Sequence, residues 1–245
     1  MGAANGGAQP PTEIRAFLIA DIRGYTVFTN ERGDDAAGRL AALFAAVVRE
    51  EVEPFDGDLL ELRGDEALVV FTSPRQAIRA AVRLQDRCID ETLADPSMPL
   101  TVGIGLDAGE AVAVEGGYRG GALNLAARLC SKARAGEVLA SQGILHLARR
   151  VEGIAYRDAG QLELKGLDEP VRVSLVAPVG ADRSHLVAVY VPRPPSRRRR
   201  GRVAVAVVAL VAVVAGGVAA VVAATGGDDG QAAATSPAAS RPASP

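Results

Sequence analysis

Two periodicities alternate along the first 178 residues of the chain. Arg15-Ala-Phe-Leu-Ile-Ala-Asp21 is an almost unbroken apolar run that ends on a carboxylate, and it predicts a buried strand over 16–21. Leu40, Leu43, Phe44, Val47, Val48 and Val52 then recur at helical spacing, which predicts an amphipathic helix over 34–52. Strands are expected at 59–62 and 67–71, on either side of the turn Arg63-Gly64-Asp65-Glu66. Ser73-Pro74 reads as an N-cap followed by a first-turn proline, and Ala77, Ala81, Leu84 and Cys88 give that helix its buried stripe. Further on, 101–106 and 110–114 read as a hairpin-like pair, 121–133 as a third helix, and 161–165 with 171–176 as a terminal hairpin. The order βαββαβ predicts an α+β, ferredoxin-like domain with an extra C-terminal hairpin.

Beyond residue 178 the pattern changes. Residues 179–202 form a basic Pro/Arg linker that carries Arg197, Arg198, Arg199, Arg200 and Arg202. Residues 203–225 contain no charge over the length a bilayer requires and are read as one transmembrane helix. Basic residues flanking a span are retained on the cytoplasmic side, so the folded domain at 13–178 is expected in the cytoplasm, anchored to the cell membrane by a single pass. Residues 1–12, rich in Gly, Ala and Pro, are read as a disordered N-terminus without a secretory signal, and 226–245 as a disordered tail.

Composition narrows the chemistry. The 245 residues are 49% apolar, enough for a sizeable core, and the net charge of −2 gives no reason to expect a nucleic-acid partner. Cys88 and Cys130 match no ligand spacing, and with only His146 and His185 imidazole chemistry is not expected. Asp21 and Asp65 stand out instead. Each closes an apolar strand, where a charge is useful only at the edge, and a pair of such carboxylates suggests a metal site. Taken singly, Asp21 could cap a helix and Asp65 could be an ordinary turn residue. Asn124 and Arg128 lie four apart and therefore share one face of the third helix.

Four motifs in order carry a resemblance: Phe17-Leu-Ile-Ala-Asp21-Ile-Arg-Gly-Tyr-Thr26, Arg63-Gly-Asp65, Ala122-Leu-Asn124-Leu-Ala-Ala-Arg128 and Leu164-Lys165-Gly-Leu-Asp-Glu-Pro-Val171. Together they resemble the class III nucleotidyl (adenylate/guanylate) cyclase homology domain. The resemblance implies that ATP or GTP is converted to a 3′,5′-cyclic nucleotide and diphosphate for intracellular signalling. It assigns Asp21, Asp65 and the carbonyl of Ile22 to two Mg²⁺ or Mn²⁺ ions, and Asn124 and Arg128 to the ribose and the reacting phosphorus. Gly24 and Lys165 fall to the phosphates. It also implies a homodimer whose sites are shared between chains.

At the base-reading positions the match is uneven. Glu61, four residues before Asp65, is the type typical of guanylate cyclases, whereas Gly117, seven before Asn124, offers no side chain. Gly103 and Asp107 stand where many members carry Arg and His. These departures keep a second reading open, a catalytically silent cyclase-like domain that binds nucleotide or dimerises beneath the membrane. Gly103-Ile-Gly105-Leu-Asp-Ala-Gly109 imitates a dinucleotide fingerprint, but its third glycine is one place late and a strand, not a helix, is expected after it.

Overall fold

A computed structural model describes residues 12–181. The membrane span at 203–225, its basic flank and both terminal tails lie outside the described residues. Within them no helix is long and apolar enough to cross a membrane.

The elements run β1 (Thr12–Ile22), α1 (Tyr25–Arg32), α2 (Asp34–Val52), β2 (Asp58–Arg63), β3 (Glu66–Phe71), α3 (Pro74–Ala94), β4 (Val102–Val114), β5 (Gly117–Arg119), α4 (Gly121–Lys132), β6 (Val138–Ser141), α5 (Gln142–Ala148), β7 (Ile154–Leu162) and β8 (Val171–Pro178). One sheet holds all eight strands in the order β2-β3-β1-β4-β6-β8-β7, with β5 paired to β4. The antiparallel set β2-β3-β1-β4, with α2 and α3 as its crossovers, is the expected ferredoxin-like βαββαβ core. β6 extends it in parallel with β4, and the β7–β8 hairpin closes that side.

Alternation along β1 sorts the two faces. Ala16, Leu18, Ala20 and Ile22 join the large core with α2 and α3, while Phe17 and Ile19 turn to the opposite face and meet Ala122, Ala126 and Cys130 of α4. Helix α3 begins as its sequence requires, with Ser73 Oγ accepting from the Gln76 amide at 3.4 Å and Pro74 in the first turn.

Three expectations change. The hairpin-like pair at 101–106 and 110–114 is a single strand, β4, and the hairpin lies further on, between β4 and β5. Within this strand Gly105 serves helix packing. A Cβ on Gly105 would stand 2.1 Å from the Cys130 amide nitrogen and 2.2 Å from the Ala126 carbonyl, so its absence lets α4 lie against the strand. The terminal hairpin starts earlier than expected, at Ile154, and leaves Lys165 in the turn rather than on a strand. Helices α1 and α5 and strand β6 are additions, each too short for a periodicity to develop.

Candidate functional site

β1 continues its alternation to the end, so Asp21 and Arg23 follow Phe17 and Ile19 on the α4 side of the sheet. In register, Asp21 lies opposite Glu66 of β3 on one side and Gly103 of β4 on the other. The β2–β3 turn is tied to this strand end by the Ile22 amide, which donates to the Asp65 carbonyl at 2.9 Å. Gly64, at φ 61°, supplies the left-handed step the turn needs. Strand pairing thus draws together Asp21, Ile22 and Asp65.

Burial and neighbouring carboxylates set the electrostatics of this corner. Burial pushes the Asp21 carboxyl up to about 6; the adjacent Arg23 guanidinium opposes the shift, and the negative charges of Asp65 and Glu66 add to it. Two carboxylates and a main-chain carbonyl are hard oxygen donors suited to Mg²⁺ or Mn²⁺. Among the described residues no group of three or more His, Cys, Asp or Glu side chains is arranged to hold a metal ion. Cations of this kind keep waters and complete their shell with substrate phosphate oxygens. The donor set fits such ions on that condition.

Gly24 follows directly, in the left-handed conformation at φ 80°, and caps α1. The first N–H groups of that helix have no side-chain cap, and the helix starts four residues after Asp21.

Helix α4 carries the second group. Asn124 is exposed and Arg128 half-buried. The Arg128 guanidinium reaches the turn between β7 and β8, where a Cβ on Gly166 would stand 3.3 Å from its Nη2. Lys165 is the exposed neighbour in that turn, beside a polar groove of about 460 Å³ whose lining includes Glu163, Asp168 and Glu169. Tertiary packing therefore brings Arg128 to the turn that carries Lys165. Among the described residues no hydrogen bond or ion pair links Asn124 or Arg128 to Asp21 or Asp65.

Glu61 lies on β2, half-buried, with its carboxylate 2.9 Å from Arg63. Gly117 sits on β5 with open space where a Cβ would project. The other two departures have structural explanations. Gly103 leaves room for Arg23, because a Cβ there would meet the Arg23 Nε at 2.4 Å. Asp107 is 6% exposed and accepts from Ser141 Oγ, which also caps α5 through the Ile144 amide at 3.2 Å. Burial pushes the Asp107 carboxyl up, against the Ser141 hydrogen bond. It is a buried structural acid.

Arg23 is the site residue that sequence reasoning passed over. Continuing the two-residue period from Phe17 and Ile19 through Asp21 would have placed it on the same face.

No protein-family model matches the chain. An uncharacterized protein of Mycobacterium tuberculosis is 32% identical over 183 residues, covering 67% of this chain and 32% of its own length. A second from the same organism is 33% identical over 153 residues, covering 62% of this chain and 38% of its own. The chain thus spans about a third of the length of these curated relatives. Among solved structures, the adenylyl cyclase CyaB from P. aeruginosa superposes with a TM-score of 0.62 at 22% identity, covering 71% of this chain and 98% of that one. The fold is that of the class III cyclase domains. The guanylyl cyclase Cya2 gives a TM-score of 0.58 at 22% identity, covering 70% of this chain and 95% of that one. The catalytic core of a rhodopsin-guanylyl cyclase with converted specificity, in complex with ATPalphaS, gives 0.59 at 16% identity, covering 69% and 99%.

Proposed function

We propose that the chain is a nucleotidyl cyclase that converts ATP or GTP to the 3′,5′-cyclic nucleotide and diphosphate. The observation that carries this reading is the backbone bond from Ile22 to Asp65, which sets two carboxylates and a main-chain carbonyl at one corner of a cyclase-type sheet. Divalent cations bound there would lower the pKa of the attacking ribose hydroxyl and neutralise phosphate oxygens. Asp21, Asp65 and the Ile22 carbonyl hold them. Gly24 keeps the α1 amides clear for phosphate oxygens. Arg128 directs its guanidinium at charge developing on the reacting phosphorus, Asn124 orients the ribose, and Lys165 grips the triphosphate. Glu61 and the space at Gly117 face the base, where a carboxylate accepts from the N1–H and N2 amine of guanine.

Among the described residues no hydrogen bond or ion pair joins the two residue groups within one chain, an arrangement compatible with sites shared across a homodimer. Leu60, Leu68, Tyr118 and Leu123 leave half-buried apolar surface on the α4 side of the sheet, adjacent in sequence to Glu61, Gly117 and Asn124. Such a surface beside polar groups suits a self-complementary pairing. The bare Gly117 supports the second reading, a silent nucleotide-binding or dimerising domain. On the charge pattern of the sequence alone, the protein is anchored by residues 203–225 with the domain in the cytoplasm. A topology reporter fused after residue 240 should then read as extracytoplasmic.

The deciding experiment incubates the full chain with Mn²⁺ and either ATP or GTP and measures cyclic product. Product supports the enzyme; nucleotide binding without product from either nucleotide establishes the silent domain.

A further inference from the structure

Arg23 has an unusual set of partners. Its Nη1 lies 2.5 Å from Asp21 Oδ2, and its Nη2 donates to the Cys130 carbonyl and lies 3.3 Å from the Cys130 sulfur. Its Nε is buried and has no partner. The Cys130 carbonyl belongs to the last turn of α4, at the negative end of the helix dipole, and also accepts from the Ala133 amide at 3.0 Å. The Cys130 thiol, pushed up to about 12 by burial, stays neutral. Among the described residues Asp21 is the only carboxylate that forms an ion pair with Arg23.

The surroundings of Arg23 are shaped to admit it. Gly103, opposite Asp21 in the β1–β4 register, lacks the Cβ that would fall 2.4 Å from Nε and 2.7 Å from Nη2. Asp21 and Arg23 side chains are each only 24% exposed, so water screens the pair poorly. The guanidinium thus sits against one of the two Asp21 carboxylate oxygens.

We propose that Arg23 is a built-in counter-ion that occupies Asp21 in the metal-free protein and must release it when a divalent cation binds, thereby lowering the site's cation affinity. This rests on the metal-site reading of Asp21. The device stabilises the unloaded corner, where Asp21, Asp65 and Glu66 would otherwise face one another without a cation. It also restricts binding to cations accompanied by enough phosphate charge to compete. Once released from Asp21, Arg23 retains the α4 carbonyl, so the helix end stays capped while the carboxylate changes partner.

The test is a Mn²⁺ titration of the full chain, with free Mn²⁺ followed by its electron paramagnetic resonance signal, on wild type, Arg23→Gln, Arg23→Lys and Asp21→Asn. Losing one charge-assisted competitor should tighten Mn²⁺ binding by about tenfold in Arg23→Gln, with Arg23→Lys intermediate because a lysine cannot hold both partners at once. Thermal unfolding supplies the second readout. Without metal Arg23→Gln should unfold below wild type, and saturating Mn²⁺ should raise its midpoint by more than it raises that of wild type. If Arg23→Gln does not fold, Arg23→Lys carries both readouts. Equal Mn²⁺ affinity in wild type and the Arg23 variants, with binding lost in Asp21→Asn, overturns the counter-ion role and leaves the metal site standing. Absence of Mn²⁺ binding in every protein, both alone and with ATP or GTP present, overturns both.

Discussion

Ile22 and Asp65, distant in sequence, are joined by a backbone hydrogen bond of 2.9 Å that belongs to neither strand ladder. Because only main-chain atoms take part, either aspartate side chain can be changed without breaking the link. Asp21→Asn and Asp65→Asn should therefore keep the fold, as judged by circular dichroism, while each lowers kcat by about a hundredfold or more through loss of a cation ligand. A kcat within threefold of wild type for both would remove the cation role.

Sharing of sites between chains can be read from mixtures. Asp21→Ala and Arg128→Ala proteins should each be nearly inactive alone. A heterodimer places both lesions in one site and leaves the other intact, so its activity should return to about half that of wild type. Continued inactivity despite subunit exchange shown directly would mean the two residues do not act across an interface.

Base choice should follow positions 61 and 117. A Cβ on Gly117 would meet no atom within 4 Å, so an aspartate fits there without displacing anything. Glu61→Lys with Gly117→Asp should raise the ATP-to-GTP ratio of kcat/KM by about tenfold or more, since a mismatched hydrogen-bonding edge discriminates strongly. An unchanged ratio would place these residues outside the pocket.

Asp107 makes a prediction about stability. Its folded pKa is raised by burial, so the protonated form is favoured in the fold and its contribution is complete below the usual carboxylate pKa of about 4. That contribution is lost as pH rises through the folded value. Asp107→Asn keeps a hydrogen-bonding group for Ser141 and removes the buried charge, so it should unfold at least about 2 °C above wild type at pH 7. The gap should narrow toward pH 4. A gap that widens on acidification would contradict this assignment.

Much of the architecture was written in local pattern. The helix at 34–52 and the Ser73-Pro74 start appear where periodicity and capping placed them, because both depend on side chains within a few residues of each other. The ferredoxin-like order followed from the same signals. The expected break over 107–109 does not occur because those residues pair with Phe17, Ala16 and Arg15 of β1, a ladder between segments far apart in the chain that no local pattern records.

The sequence by itself determined which residues could do chemistry, through carboxylates at the ends of apolar strands and the Asn124 and Arg128 spacing on a helix face. Tertiary structure alone decided their company. Strand register joined Ile22 to Asp65, helix packing set Arg128 against Gly166, and the missing Cβ of Gly103 let Arg23 reach Asp21. Burial turned Asp107 from a candidate site position into a structural acid. Each of these depends on contacts between residues remote in sequence, and no period of two or 3.6 residues records them.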